Sequence, residues 1–288
     1  MATVLDAHTK TCAIFGHPVG HSLSPAIHNA AFGALGLNCV YIAHDVQPED
    51  LPAAMAGIRA LGYRGLSITI PHKVAAVALV DEVDDTARRI GCINTVVNEA
   101  GSLKGRNTDG LGALAAIRAA NVNLEQSNVV VLGSGGAARA IAVSLLAETA
   151  PRKLTLLGIV EPELSALANT LRNQEKSEVA VGPLNRTGLE NALQNADLVL
   201  HTTPVGMEPK SEESVVPEEF LHPGLTVFDA VYTPRRTRLL RDAAARGCRT
   251  VEGIEMFLGQ ALVQFQLWTG QTAPKAVMRA VIEDRLGH

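Results

Sequence analysis

The strongest constraint on the fold is a short apolar run that leads directly into a glycine-rich turn. Residues 128–132 read Asn-Val-Val-Val-Leu, and residues 133–138 read Gly-Ser-Gly-Gly-Ala-Ala. A β-branched apolar run bounded by glycine predicts a buried strand, and the alanine-rich segment that continues to about residue 147 predicts a helix. A strand, a tight turn and a helix in this order are typical of the βαβ unit of a parallel sheet.

Short apolar runs alternate with helical patterns along nearly the whole chain, as parallel βαβ construction requires. In the first half we predict strands at 12–16, 40–46 and 65–70, helices at 25–36 and 49–61, and a hairpin of 93–98 with 102–107. The hairpin predicts that the first sheet is mixed, with an antiparallel edge. In the second half we predict strands at 128–132, 153–157, 179–184, 197–202, 225–231 and 250–253, followed by a helix at 256–269.

The glycine turn also carries a chemical prediction. Gly133 allows the tight turn, Gly135 lets backbone N–H groups approach a pyrophosphate, and the small Ala138 lets the helix close on the strand. The N-terminus of that helix supplies partial positive charge to the phosphates. Because a strand precedes the turn and a helix follows it, dinucleotide binding is favoured over glycines that only permit tight packing. Residues 157–160, at the end of the second strand, include neither an acid nor an arginine, so NAD and NADP both stay open.

We therefore predict an α/β fold with two domains, which the 288-residue length allows. The first is a smaller α/β substrate domain with a mainly parallel mixed sheet, formed by residues 1–110 and completed by the C-terminal residues 254–288. The second is a Rossmann dinucleotide-binding domain, residues 111–253. The helix at 256–269 has no following strand, so we expect it to pack back on the first domain.

Composition and charge exclude several other classes of protein. The net charge of −4 and the lack of a basic stripe argue against nucleic-acid binding. Four widely spaced cysteines (Cys12, Cys39, Cys92 and Cys248) predict plain thiols of a reduced compartment, and no metal site. No apolar stretch approaches the roughly 20 residues that span a bilayer, and residues 1–10 lack a secretory pattern. We expect a soluble cytoplasmic protein without a membrane partner, either a monomer or a homodimer.

Three first-half stretches place polar residues at the ends of apolar strands, where open α/β sheets bind ligands. They are residues 16–25, residues 67–73, and residues 94–95 together with 107–110. Helix capping explains one of Ser22 and Ser24, but not both, and it does not explain Lys73. Asn94 and Asp109 flank the hairpin, and turn chemistry could account for either one alone.

Together these stretches resemble the shikimate dehydrogenase family, in order and over nearly the whole chain. The family's G-x-P-x-x-H-S-x-S-P-x-x-H-N element corresponds to residues 16–29, its T-x-P-x-K element lies within 67–73, and its N-T and N-T-D-G elements are 94–95 and 107–110. The glycine loop matches at 133–140, and later elements match at 203–207, 229–234, Met256 and 260–261. The resemblance implies reversible NAD(P)H-dependent reduction of 3-dehydroshikimate to shikimate in aromatic amino-acid biosynthesis, with NADP as the expected cofactor and NAD possible.

The resemblance also implies roles for individual residues. Lys73 and Asp109 would be the catalytic pair, and we assign proton transfer to the two jointly. The substrate would be bound by Ser22, Ser24, Thr69, Lys73, Asn94, Asp109, Tyr232 and Gln260. The dinucleotide would be bound by Gly133, Ser134, Gly135, Gly136, Ala137, Thr203, Pro204 and Gly253. The histidines near these motifs are expected to be structural rather than proton carriers.

Three positions depart from the family pattern. Ser67 stands where the family usually has Asn, so we expect one substrate hydrogen bond to be altered. His201 stands where Asn is often found. Gly158-Ile159-Val160 replaces the Asn-Arg-Thr that many NADP-dependent members carry, and the same triplet occurs here only after the next strand, at 185–187.

These departures keep two alternatives open. One is a quinate/shikimate or amino-shikimate dehydrogenase of the same family with a preference for NAD. The other belongs to a different class: a catalytically silent sensor that binds shikimate. Retention of both Lys73 and Asp109 argues against the sensor, because a protein that only binds does not need an acid–base pair.

Overall fold

The structure is a computed structural model that describes residues 5–172 and 177–286. It divides into two compact units, each with its own six-stranded sheet. The first unit is Met1–Thr108 with Gln260–His288, and the second is Asp109–Gly259.

The strands and helices follow one another in the order expected for βαβ construction. In the first half they are β1 (Lys10–Gly16), α1 (Ser24–Ala34), β2 (Cys39–Asp45), α2 (Leu51–Ala60), β3 (Gly65–Ile68), β4 (Glu82–Val83), α3 (Asp85–Ile90), β5 (Thr95–Glu99) and β6 (Ser102–Arg106). The second half contains α4 (Asp109–Ala119), β7 (Asn128–Leu132), α5 (Gly136–Glu148), β8 (Lys153–Gly158), α6 (Glu161–Arg172), β9 (Glu178–Pro183), α7 (Arg186–Leu193), β10 (Leu198–His201), β11 (Thr226–Asp229), α8 (Arg238–Ala245), β12 (Arg249–Val251), α9 (Gly253–Thr269) and α10 (Lys275–Leu286).

The sheet of the first unit has the strand order β2-β1-β3-β5-β6-β4. β5 runs antiparallel to both β3 and β6, and the other strands share one direction. The prediction of a mixed sheet is confirmed, but the prediction of an antiparallel edge is wrong. β5 lies inside the sheet, and β4 forms the edge. The prediction missed β4 because a strand of two residues, Glu82–Val83, leaves no periodic signal in the sequence.

The single tryptophan attaches α9 to this sheet. Trp268 is fully buried, and its indole Nε1 donates to the carbonyl of Val96 in β5 at 3.0 Å. The backbone carbonyl of Trp268 accepts from Arg64 Nε at 2.7 Å. The indole lies directly over Gly65, and a Cβ at that position would overlap its ring atoms. Gly65 therefore leaves the space that the tryptophan fills. α10 packs on α1 in the same unit.

The sheet of the second unit has the order β12-β11-β10-β7-β8-β9, with all pairs parallel. This is the strand order of a Rossmann fold, so the predicted fold class is confirmed. β10 and β11 are buried at every position, as expected for parallel strands covered on both faces. The helices α6 and α7, which connect β8 to β9 and β9 to β10, were not predicted, because each carries a narrow apolar stripe on an otherwise polar segment.

Among the described residues there is neither a membrane-spanning helix nor a cluster of metal ligands. None of the helices in 5–172 and 177–286 is long and apolar enough to cross a bilayer. In the same part of the chain, no group of three or more His, Cys, Asp or Glu side chains could hold a metal ion. All four cysteines are free thiols.

Candidate active site

The strand order of the first sheet reverses between β1 and β3, because β2 lies on one side of β1 and the later strands lie beyond β3. Such a switch point leaves a crevice at the carboxyl ends of the strands, where open α/β sheets bind ligands. The loops after β1 and β3 are bonded together there: His17 N–H donates to Ile70 O at 3.0 Å, and Thr69 N–H donates to Phe15 O at 2.9 Å. A Cβ on Gly16 would overlap the Thr69 methyl group, so a glycine permits this approach.

These two loops carry Ser22, Ser24, Thr69 and Lys73, four of the predicted substrate residues. Helix α1 begins at Ser24, and its N-cap residue is Leu23, which makes no side-chain capping bond. Ser22 Oγ accepts the backbone N–H of Ser24 at 3.3 Å. Helix capping was the alternative explanation for one of the two serines, and this long hydrogen bond is weak support for it.

Asn94 lies in a buried polar cluster where β5 begins and β6 ends. Its Oδ1 accepts from Thr108 N–H at 2.8 Å and from Thr95 Oγ1 at 2.7 Å, and its Nδ2 donates to Thr108 Oγ1 at 3.0 Å. Because β5 is antiparallel, its first residues lie at the same edge of the sheet as the ends of β3 and β6. The register thus brings Asn94 to the edge that carries the loops after β1 and β3.

Ser67 belongs to a buried hydrogen-bond chain rather than to an open surface. Its hydroxyl accepts from Tyr41 OH at 2.7 Å and donates to Gln264 Oε1 at 3.1 Å. Gln264 Nε2 in turn donates to Thr95 Oγ1 at 2.9 Å, which connects the chain to Asn94. Gln264 is a residue that the sequence analysis missed. The available signal was a glutamine within the apolar run of α9, since buried amides need partners.

The His-Asn pair of the first motif has a structural role. The Asn29 side chain makes two bonds to the backbone of Tyr41, one to its N–H and one to its carbonyl, both at 2.8 Å. The amide thereby pairs with the backbone of β2 as a neighbouring strand would, and it attaches α1 to β2. The His28 ring stacks on the Tyr41 ring with centroids 4.7 Å apart and also contacts Trp268. Burial lowers the pKa of His28 to about 3, and nearby Gln264 offsets only part of that effect.

Two other histidines of the motif loops also have protein partners. The buried His72 ring is bonded through Nε2 to the carbonyl of Val46 at 2.8 Å. His17 Nδ1 lies 2.6 Å from Asp45 Oδ1 at the exposed end of β2. These contacts give each ring a reason to be present without any part in catalysis.

In the second unit, the glycine turn lies at the corresponding switch point, between β7 and β10. Gly133 has a φ of +112°, and a Cβ there would lie 2.8 Å from Thr202 Oγ1, so both backbone and packing require glycine. Gly135 and Gly136 differ, because a Cβ at either position would meet nothing within 4 Å. Internal packing does not explain these two glycines. The open space beside the N-terminus of α5 fits the close approach of a pyrophosphate, and Gly133 to Ala137 would hold it.

A buried polar chain supports the loop on the other side of this switch point. His201, the last residue of β10, has its Nδ1 2.8 Å from Asp229 Oδ1 and its Nε2 2.5 Å from Thr203 Oγ1. Asp229 also accepts from Thr237 Oγ1 at 2.5 Å and from Val231 N–H at 3.0 Å. The imidazole therefore connects a buried carboxylate to Thr203, one of the predicted cofactor residues.

The end of β8 carries no polar side chain, but a carboxylate reaches the glycine turn from α6. Glu163 Oε2 accepts from Ser134 Oγ at 3.2 Å. Glu161, the acid closest in sequence to the end of the strand, has no such contact. Arg186 of the displaced Asn-Arg-Thr triplet is bonded to Glu219 at 2.7 Å, and its guanidinium lies 5.3 Å from the centre of the Phe220 ring.

Three further predicted residues, Tyr232, Gly253 and Gln260, lie after β11 and within α9. Tyr232 stacks on Phe257 with ring centroids 5.7 Å apart. A Cβ on Gly253 would lie 2.7 Å from the carbonyl oxygens of residues 229–231, so packing already requires a glycine there. Gln260 is buried in the first unit, as the first residue after the division between the units.

The predicted catalytic residues belong to different units. Lys73 is half-buried in the loop after β3, and its backbone carbonyl accepts from Ile93 N–H at 2.9 Å. Asp109 is the first residue of α4 and of the second unit. It follows Thr108, whose backbone N–H is held by Asn94 at 2.8 Å.

Comparison with known proteins agrees with these motifs. The profile of the shikimate dehydrogenase substrate binding domain matches residues 14–96, and that of the shikimate 5′-dehydrogenase C-terminal domain matches residues 253–283. The shikimate dehydrogenase (NADP(+)) of Moorella thermoacetica is 45% identical over 98% of this chain and 96% of its own length.

Solved structures give the same result. The Listeria monocytogenes shikimate 5-dehydrogenase in complex with shikimate and NAD has a TM-score of 0.93 at 29% identity, covering 96% of this chain and 98% of that one. The Thermus thermophilus enzyme with NADP(H) and shikimate has a TM-score of 0.85 at 36% identity, over 96% and 99%. A Corynebacterium glutamicum quinate dehydrogenase with NAD has a TM-score of 0.88 at 31% identity, over 96% and 99%. The chain therefore belongs to the shikimate dehydrogenase family, whose members are oxidoreductases that act on a CH–OH group.

Proposed function

We propose that the chain catalyses the reversible NAD(P)H-dependent reduction of 3-dehydroshikimate to shikimate, within aromatic amino-acid biosynthesis. One observation carries the proposal: family motifs directly follow the two strands that flank the switch point of each sheet, β1 and β3 in the first unit and β7 and β10 in the second. Such a position is where open α/β sheets bind ligands. The first unit would take the polyol and the second the dinucleotide.

Substrate recognition would come from short polar groups on rigid strand ends. Ser22 and Ser24 would bind the carboxylate or the nearby hydroxyls, and Thr69, Lys73, Asn94, Asp109, Tyr232 and Gln260 would bind the rest of the substrate. A site that bonds hydroxyl groups rejects analogues that lack them, because its own polar groups are then left unpaired. Ser67 would not donate a hydrogen bond to the substrate, since its hydroxyl hydrogen already bonds to Gln264 Oε1.

The dinucleotide supplies hydride when it is bound, and the chain must supply the proton. The Lys73 ammonium can donate a proton to the carbonyl oxygen and stabilise the developing alkoxide. A free lysine has a pKa of about 10.4, which makes it a weak base for the oxidative direction at neutral pH. Burial lowers a lysine pKa and a nearby carboxylate raises it. We therefore assign proton transfer to Lys73 and Asp109 jointly.

The cofactor would be held by Gly133, Ser134, Gly135, Gly136 and Ala137 at the N-terminus of α5, and by Thr203, Pro204 and Gly253. NADP is the cofactor named for the curated relative at 45% identity. The working form would be a cytoplasmic monomer or homodimer. Sedimentation at several concentrations would distinguish the two.

The test is an initial-rate assay of shikimate oxidation, with NAD and NADP in parallel and with quinate as a second substrate. We expect turnover of shikimate to exceed turnover of quinate. The relation to a quinate dehydrogenase of TM-score 0.88 makes quinate the appropriate competitor. Preferred oxidation of quinate would favour the alternative of a quinate/shikimate dehydrogenase. Binding of shikimate without hydride transfer to either dinucleotide would establish a silent sensor instead.

A further inference from the structure

The proposed function leaves open how the chain distinguishes NAD from NADP, which differ by a phosphate on the 2′-oxygen of the adenosine ribose. A Rossmann domain contacts that ribose at the end of its second strand, through an acid for NAD or an arginine for NADP. Here the second strand is β8, and residues 158–160 are Gly-Ile-Val. Ile159 is 82% exposed and has no polar atom in its side chain. The end of the strand thus has neither an acid for the ribose hydroxyl of NAD nor an arginine for the phosphate of NADP.

Glu163 places a carboxylate in the same neighbourhood from the first turn of α6. Its Oε2 accepts from the hydroxyl of Ser134, the second residue of the glycine turn, at 3.2 Å. A Cβ on Gly158 would lie 3.4 Å from the same hydroxyl oxygen. Ser134 therefore lies beside the end of β8 and is bonded to Glu163. These contacts put the Glu163 carboxylate beside the turn that would hold the pyrophosphate and beside the strand end that would face the ribose.

The first turn of α6 carries negative charge. Both charged residues in the first turn of α6 are acids, Glu161 and Glu163, so the partial positive charge of that helix N-terminus already faces carboxylates. Within residues 5–172 and 177–286, no lysine or arginine forms an ion pair with Glu163. Arg186, the arginine of the displaced triplet, is held by Glu219 and Phe220.

We infer that Glu163 is a specificity-determining residue, whose carboxylate accepts from the ribose 2′-hydroxyl of NAD and repels the 2′-phosphate of NADP. The inference rests on the proposed function, since it uses the dinucleotide site of the second unit. Glu163 is exposed, so water and salt weaken the repulsion. For like charges about 5 Å apart in water, the expected effect is roughly threefold to tenfold in affinity. Glu163 would extend cofactor use to NAD by weakening the advantage of NADP.

The test compares E163Q and E163R with the unmodified chain, and E161Q is the matched control. E161Q removes the same charge from the same helical turn without touching the Ser134 contact. Adenosine 2′,5′-bisphosphate and adenosine 5′-monophosphate are titrated by calorimetry, and kcat/KM is measured for NADP and NAD with shikimate. We expect E163Q to raise the ratio of NADP to NAD roughly threefold to tenfold. E163R should raise it further, because it adds an arginine for the phosphate. E161Q should change the ratio less than twofold.

An unchanged ratio in E163Q and E163R overturns the inference, and so does an equal shift in E161Q, which would mean a general effect of charge. The nucleotide titration and the kinetic assay together distinguish failure of this inference from failure of the proposed function. Normal shikimate oxidation with an unchanged ratio removes only the role of Glu163. Selective gain of bisphosphate binding without shikimate oxidation supports Glu163 and contradicts the proposed reaction. Failure of both nucleotides to bind contradicts both.

Discussion

The Nδ1 atom of His201 lies 2.8 Å from Oδ1 of Asp229, and both side chains are inaccessible to solvent, at 1% and 0% exposure. A buried carboxylate is stable only when its oxygens are hydrogen-bonded. Here His201, Thr237 and Val231 N–H all bond to Asp229. The same imidazole holds the hydroxyl of Thr203 through its other nitrogen. One side chain thus couples the stability of the second unit to the loop after β10.

We predict that H201A lowers the free energy of unfolding by about 2–3 kcal/mol, because it leaves the buried carboxylate of Asp229 without one partner. The KM for NADP should rise in this variant while the KM for shikimate changes little, since Thr203 loses its support. Urea denaturation and initial rates measure the two effects. H222A is the control, because His222 is only half-buried and makes one long bond to Leu193 O at 3.3 Å. Equal losses of stability in the two variants would contradict the prediction.

We predict that K73A lowers kcat by about 10²- to 10⁴-fold with only a modest change in the KM for shikimate, as expected for loss of a proton donor. Because proton transfer is assigned to a pair, the K73A/D109A double variant should lose little more than the larger of the two single losses. K104A, which removes a lysine paired with Glu99 at 2.7 Å on the same sheet, should keep its activity. Near-normal turnover of K73A would remove Lys73 from the chemistry.

We predict opposite effects for two glycine-to-alanine changes in the first unit. In G65A the new methyl group would overlap the Trp268 indole, so we expect a loss of about 3 kcal/mol in unfolding free energy. In G57A, within α2, a Cβ meets nothing within 4 Å, and the gain in helix propensity should stabilise the protein by about 0.5–1 kcal/mol. Thermal and urea unfolding of both variants measure whether the free energy of unfolding rises or falls. Destabilisation by both changes would contradict the prediction, because the loss in G65A could then not be assigned to overlap with Trp268.

We predict that stability falls on acidification, partly because of His28. Its pKa is about 3 in the folded chain and about 6.5 in the unfolded chain. Between those values only the unfolded state binds the proton, so stability rises with pH and is lost as the pH falls below about 6.5. One such group contributes about 2 kcal/mol of loss between pH 7 and pH 5. Urea denaturation of H28F at both pH values should show a loss smaller by about that amount. An identical pH dependence in the two proteins would contradict the assignment.

Local patterns were enough to predict much of this protein. The apolar run 128–132 and its glycine turn predicted β7, the turn and α5 nearly to the residue, because an apolar strand and a tight turn leave strong local signals. The hairpin of β5 and β6 was predicted for the same reason. Its turn residues Ala100 and Gly101 both have positive φ, as a two-residue turn of type I′ requires. The two-residue strand β4 left no such signal, so the edge of the first sheet was assigned wrongly.

The amino-acid sequence by itself determined most of the strands and which motifs follow them, since both depend on neighbours along the chain. Only the tertiary structure decided which of those motif residues form hydrogen bonds with other parts of the protein. Ser67 bonds to Tyr41 and Gln264, which lie 26 and 197 positions away in sequence. Glu163 reaches Ser134 across 29 positions. Contacts of this kind depend on how strands are ordered and how helices pack on them. No local pattern encodes them, because packing brings together residues that the chain keeps apart.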